Sequence, residues 1–154
     1  MTLAASQIVA AIAARIPGTA VYTDHPQPFA EDDLPAWRVH RVPGGEVAPQ
    51  TLARDTLQRH ELRVECVGYA RAVSGLDAAL DALAAPALAA IFAAAPQVPP
   101  DALDGMAGLI ELSLAGEVEI DMQGEGEAAL GVVTVPLRAV YFTRASAPET
   151  ITLN

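Results

Sequence analysis

The 154-residue sequence has no lysine, a single cysteine and, between Arg71 and Arg138, no basic residue. Each absence excludes something. With Cys66 alone there can be no internal disulfide and no metal site built on cysteines. The missing cations leave ten acids unopposed in the second half: Asp77, Asp81, Asp101, Asp104, Glu111, Glu117, Glu119, Asp121, Glu125 and Glu127. Nine acids and nine arginines fill the rest, so that part is neutral and this one stretch carries the whole net charge of −10. Such a chain lacks the basic footprint that tight phosphate binding needs, and anionic membrane surfaces repel it. Met1 to Ala14 lacks the basic start of a signal peptide. The most apolar run, Ala78 to Ala95, is interrupted by Asp81 and Pro86 and is mostly alanine, so it reads as a helix of a water-soluble protein.

Catalytic signatures are missing as well. No Gly-x-Ser-x-Gly occurs, and Gly44-Gly45 is followed by neither a Gly-Lys-Ser nor a helical pattern. Cys66 falls on the apolar face of a predicted strand, where a small buried residue is expected rather than a nucleophile. His25, His40 and His60 lie on three separate segments without metal-ligand neighbours. Gly124-Glu125-Gly126-Glu127 lacks the ligand spacing of a calcium loop. The best material for a ligand pocket is Trp37, His40 and His60 on neighbouring strands. No catalytic residue, cofactor or metal is expected.

What is present is periodicity. Of the hydrophobic residues, which make up 52% of the chain, 32 are alanines, so Leu, Ile, Val, Phe and Trp must build most of the core of one domain spanning 1–154. Ile8, Ile12 and Ile16 recur on one face of a helix predicted over Thr2 to Arg15, which Pro17-Gly18 stops. Thr19 to Thr23 is a short strand, and Asp24 to Pro35, with three prolines, is a loop. Trp37 to Val42 alternates as a strand ended by Pro43-Gly44-Gly45, and the stretch to about Thr56 reads as a mobile loop. Leu57 to Ala70 is the clearest strand: His60, Leu62, Val64 and Cys66 point to the core, and Arg59, Glu61, Arg63 and Glu65 share the other face. Ser74 can cap a helix carrying the stripe Leu76, Leu80, Leu83, Ala87 and Ile91, with Asp77 favouring its N-terminus and Pro86 expected to kink or split it. Pro96 to Gly108 is turn-like. Leu109 to Met122 alternates, with Val118, Ile120 and Met122 on one face and Glu117, Glu119 and Asp121 on the other. Gln123 to Glu127 is a hairpin loop. Gly131 to Thr143 is the last strand, whose Pro136 argues for an edge or a bulge. A tail over 145–154 lacks periodicity.

This order predicts an α+β fold: a mainly antiparallel sheet of about five strands, two helices packed on one face, and long hairpin loops. Arg59, Glu61, Arg63 and Glu65, joined by Arg54, Arg144 and Glu149, are candidates for contact with a neighbouring subunit. Pairing across strands within one subunit is the equal alternative for the Arg59–Glu65 face. Glu117, Glu119, Asp121, Glu125 and Glu127 form a candidate surface for repelling polyanions.

Several phrases resemble the tail terminator proteins of long-tailed bacteriophages, the group that includes the minor tail protein U type. They are Ile8-Val9-Ala10-Ala11-Ile12 leading to Pro17-Gly18 and Val21-Tyr22; Leu34-Pro35-Ala36-Trp37-Arg38-Val39; Glu61-Leu62-Arg63-Val64-Glu65-Cys66; the Leu76-Asp77 helix start; and Val140-Tyr141-Phe142-Thr143-Arg144 followed by Pro148-Glu149-Thr150. The resemblance runs over nearly the whole chain in length, element order and chain ends. It implies a virion protein made in the bacterial host's cytoplasm that forms a homohexameric ring on the finished tail tube. Such a ring stops polymerisation of the major tail tube protein, meets the head–tail connector or head completion protein, and passes DNA through its channel without specific binding. In that setting the acidic surface would line the channel. A head–tail joining or neck protein, and a small α+β enzyme or ligand-binding domain, are the rival expectations.

Overall fold

A computed structural model describes residues 2–18, 20–23, 29–49, 55–93, 109–123 and 129–152. Two helices, α1 (Ala4–Arg15) and α2 (Leu76–Ile91), pack on one face of a sheet of seven strands: β1 (Ala20–Tyr22), β2 (Ala36–Pro49), β3 (Leu57–Ala72), β4 (Leu109–Leu114), β5 (Glu119–Gln123), β6 (Ala129–Arg144) and β7 (Ala147–Ile151). The sheet order is β1-β2-β3-β6-β4, with β5 and β7 also paired to β6. The α+β class stands. The sheet has more strands than expected and is mixed, because β1 runs parallel to β2.

β3 and β6 pair antiparallel over sixteen residues without a break, Leu57 with Arg144 through Ala72 with Ala129. The alternation read in the sequence sets their faces. Val64, Cys66, Val133, Val135, Leu137 and Ala139 are buried under Ile8 and Ile12 of α1 and Leu80, Ala87 and Ile91 of α2. Two glycines let α2 sit close. A Cβ at Gly68 would lie 2.9 Å from both Leu83 and Val133 and 3.1 Å from Trp37, and one at Gly131 would lie 2.7 Å from Leu80.

Four local expectations are corrected. First, Pro43-Gly44-Gly45 does not end β2. It forms a bulge between Val42 and Glu46, after which pairing with β3 resumes as far as Pro49. Gly44 takes a φ of 108°, and a Cβ at Gly45 would strike the carbonyl oxygen of Glu61, so both positions need glycine. Much of the expected loop over 44–56 is therefore strand.

Second, the strand expected over 109–122 is split into β4 and β5 opposite Pro136. The N–H and C=O of one strand residue point the same way, and the Pro136 carbonyl accepts from Ala115. The missing Pro136 donor thus faces the break and not β3, so the β3–β6 ladder is intact.

Third, α2 is not split by Pro86, which lies inside it on the exposed side, where water can satisfy the carbonyl left without a donor. Its N-cap is Gly75, in a left-handed conformation, and no side chain caps it, so Ser74 does not. Fourth, the C-terminal stretch expected as a tail forms β7. It pairs with Thr143 and Arg144, and the Glu149 carbonyl accepts from Gln7 of α1 at 2.8 Å. No helix among the described residues is long and apolar enough to cross a membrane.

Candidate functional site

The three residues proposed for a ligand pocket do not converge. Trp37 is fully buried in the core against Gly68. His60 is stacked on Tyr141, centroids 4.8 Å apart, with a ring nitrogen 2.8 Å from the Thr143 hydroxyl. Gly68 and His60 are eight residues apart on β3, roughly 26 Å at strand rise. His40 is on the other face, 3.7 Å from Glu65. Burial lowers the pKa of His60. It also lowers that of His40, with Arg38 adding to the effect and Glu65 opposing it. Cys66 is buried, and desolvation pushes its thiol up to about 12, far from a reactive thiolate. Among the described residues no three His, Cys, Asp or Glu side chains are placed to hold a metal.

The charged face of β3 is engaged within the chain. Arg138 of β6 donates to Glu61 at 2.9 Å and to Glu111 of β4 at 3.0 Å, and Arg63 reaches Glu61 at 2.8 Å. Ser113 donates to Glu111 at 3.0 Å. The Glu61 carboxyl is held below its ordinary range, chiefly by the hydrogen bond from Arg138. Glu61 and Arg63 therefore make cross-strand and same-strand pairs within one subunit. Arg59 has no ion pair among the described residues, Arg144 is exposed, and Glu149 is half-buried on β7. Asp55 accepts from the backbone and hydroxyl of Ser146, which lowers its pKa, and this ties the start of β3 to the β6–β7 turn. Arg54, Glu125 and Glu127 lie outside the described residues.

The acidic flank is the distinctive surface. Among the described residues β5 pairs with β6 on one side only, and all five of its residues are exposed. Glu119 and Asp121 occupy the face away from the helices. Ile120 and Met122 stand on the helix side, opposite Val133 and Gly131, at 47% and 54% exposure. The two faces are as the alternation gave them, but the apolar one is not covered. α2 packs chiefly over β3 and β6, and of Val118, Ile120 and Met122 only Val118 packs on the core. Leu114, 46% exposed on β4, extends the apolar stripe. Asp77 and Asp81, one turn apart on α2, are exposed on the flank opposite its Ala79–Ala82 side, which borders β3 and Pro35.

At the other edge of the sheet, β1 covers only Ala36 to Arg38 of β2. From Val39 onward β2 has no outer partner strand among the described residues. A groove of about 420 Å³ opens there between α1 and β2, lined by Ser6, Val9, Ala10, Thr23, His40 and Arg41. Sequence reasoning did not single out this edge, because Trp37 to Val42 alternates like any half-buried strand and alternation does not say which strands have neighbours.

No protein-family model matches the chain, and no curated protein matches it. Among solved structures, a chain from the virion of a native gene transfer agent particle is similar to it at 20% identity, over 89% of this chain and 92% of that one, with a TM-score of 0.42.

Proposed function

We propose that this protein is a structural component of a phage-like virion: a tail terminator subunit that forms a ring on the finished tail tube and serves assembly rather than catalysis. The observation that carries the reading is β5, a strand with no buried residue, acids on one face and Ile120 and Met122 on the other. A strand so exposed is a liability for a solitary protein and an asset for one that assembles. The resemblance in element order and local phrases to tail terminators supplies the kind of assembly. Its partners are further copies of itself, the major tail tube protein and the head–tail connector.

The acidic flank suits a passage for DNA. Asp77 and Asp81 of α2 and Glu117 beside β5 are exposed in a region without a cation. Repulsion from such a wall acts over a screening length of about 8–10 Å at ordinary salt and needs no specific contact. The test is mass by light scattering, first alone and then with polymerising tail tube protein. The expected result is a species of six times 16.0 kDa, or tubes whose length the protein fixes. A chain indifferent to tubes, which instead binds the head connector, would make it a neck protein.

A further inference from the structure

The two open sheet edges differ in chemistry, and each lacks what the other offers. The β5 edge presents two acids, Glu119 and Asp121, on one face and two bare apolar side chains, Ile120 and Met122, on the other. The β2 edge presents Arg38 and His40 on the face away from the helices. On the helix side Arg41 and the groove floored by Val9 and Ala10 are open. Glu65 of β3 approaches His40 Nε2 at 3.7 Å from the inner side, and the nearest acid further along β2 itself, Glu46, lies beyond the bulge and acts on Arg138, so no acid of β2 stands at its open edge beside Arg38 and His40.

We infer that a second copy of this chain adds its β5 strand to the free edge of β2, seating Ile120 and Met122 in the groove between α1 and β2 and placing Asp121 opposite His40, with Arg38 and Glu119 diagonal to that pair. The inference deepens the ring reading by supplying its joint. The faces agree without adjustment. β2, β3, β6 and β5 alternate in direction, so a second copy with its helices on the same side adds β5 antiparallel to β2; with Asp121 opposite His40, Ile120 then lies opposite Arg41 and Met122 opposite Val39, both against α1. The free N–H and C=O groups of both edges then pair, as in strand addition generally.

The contact cannot form within one chain, because β3 and β6 separate the two edges by three strand spacings, roughly 14 Å. Nor does the acidic edge suit a symmetric contact with its own copy, since like charges would face each other. The joint is therefore head-to-tail, the kind that closes into a ring when the rotation per copy allows. Glu119 and Asp121 then belong to the joint rather than to the channel wall, which is left to Asp77, Asp81 and Glu117.

The test uses two full-length variants, each altered on one side at exposed positions. Ile120→Asp with Met122→Asp spoils the strand, and Ala10→Glu with Arg41→Glu fills and recharges the groove. Circular dichroism and thermal unfolding check that both fold. Light scattering on the wild type should show species above the monomer that shrink as salt rises. Each variant alone should stay at 16.0 kDa. Mixed in equal amounts, the two retain one sound strand and one sound groove between them and should stop at a dimer. Assembly of either variant to wild-type size overturns the joint while leaving the ring reading in place. A mixture of folded variants that stays monomeric overturns it too. A wild-type chain that is monomeric at millimolar concentration and also ignores tail tubes overturns both.

Discussion

Gly68 and Gly131 lie under α2 for the same reason but differ in what surrounds them. A Cβ at Gly131 would meet the ends of Leu76 and Leu80, which can turn aside, whereas one at Gly68 would meet Val133 and the Trp37 ring, which cannot. Gly68→Ala should cost roughly 1–3 kcal/mol by overpacking, and Gly131→Ala clearly less. Urea unfolding of the two variants side by side measures the difference. The ion network makes a second residue-scale prediction. Glu61 is depressed in the folded state, so its contribution is fully present above the ordinary glutamate range and is lost as pH falls through the lowered value. His60 is depressed too, by burial. Its neutral form is favoured by folding, and stability falls as pH drops below the ordinary histidine value toward the lowered one. Unfolding followed from pH 7 to about pH 2 should therefore show wild type losing stability in two stages, the upper shared by His60 and His40 and the lower by Glu61 and Asp55. Glu61→Gln should reduce the lower stage and His60→Gln the upper, each without abolishing it.

Among the elements, α2 carries an avoidable cost. Pro86 removes a donor in mid-helix on the exposed side, so Pro86→Ala should restore it and raise stability by up to about 3 kcal/mol, read as a higher midpoint in thermal unfolding. An unchanged or lower midpoint would mean that the proline ring itself packs usefully. The elements also show where sequence patterns suffice. Leu57 to Ala70 and Gly131 to Thr143 alternate because each is half-buried along its length, and both appear as strands with the expected faces. Patterns misled where a neighbour, not the strand itself, decides the outcome. Ile120 and Met122 alternate like core residues, yet α2 packs chiefly over β3 and β6. Pro43-Gly44-Gly45 looks like a stop because its backbone is unusual, and that same unusual backbone is what a bulge requires. β7 has a proline and two polar residues in five and gains its order from Gln7 and the end of β6.

For the whole molecule, charge segregation was fully visible in the sequence, but its arrangement was not. Ten acids without a cation in one stretch predict a repelling surface; only the topology shows which of them are left to form it, Asp77 and Asp81 on one flank of α2 and Glu117 beside β5. Replacing Asp77, Asp81 and Glu117 each with Lys, which turns three acids of that wall into cations, should leave assembly unchanged while letting the assembled protein retain DNA in a gel-shift assay at low salt. Retention by the wild type to the same degree would remove those residues from the channel wall. One further consequence comes from β6. It pairs with β3 along one side and with β5, β4 and β7 end to end along the other, and it is the penultimate strand of the chain. Until β6 begins to emerge from the ribosome at Ala129, the sixteen-residue edge of β3 has nothing to pair with, and neither β4 nor β5 has a place in the sheet. Synthesis of this protein therefore passes through a long interval in which its largest sticky edge is bare, and a message cut short before residue 129 would yield a chain with no means of covering it.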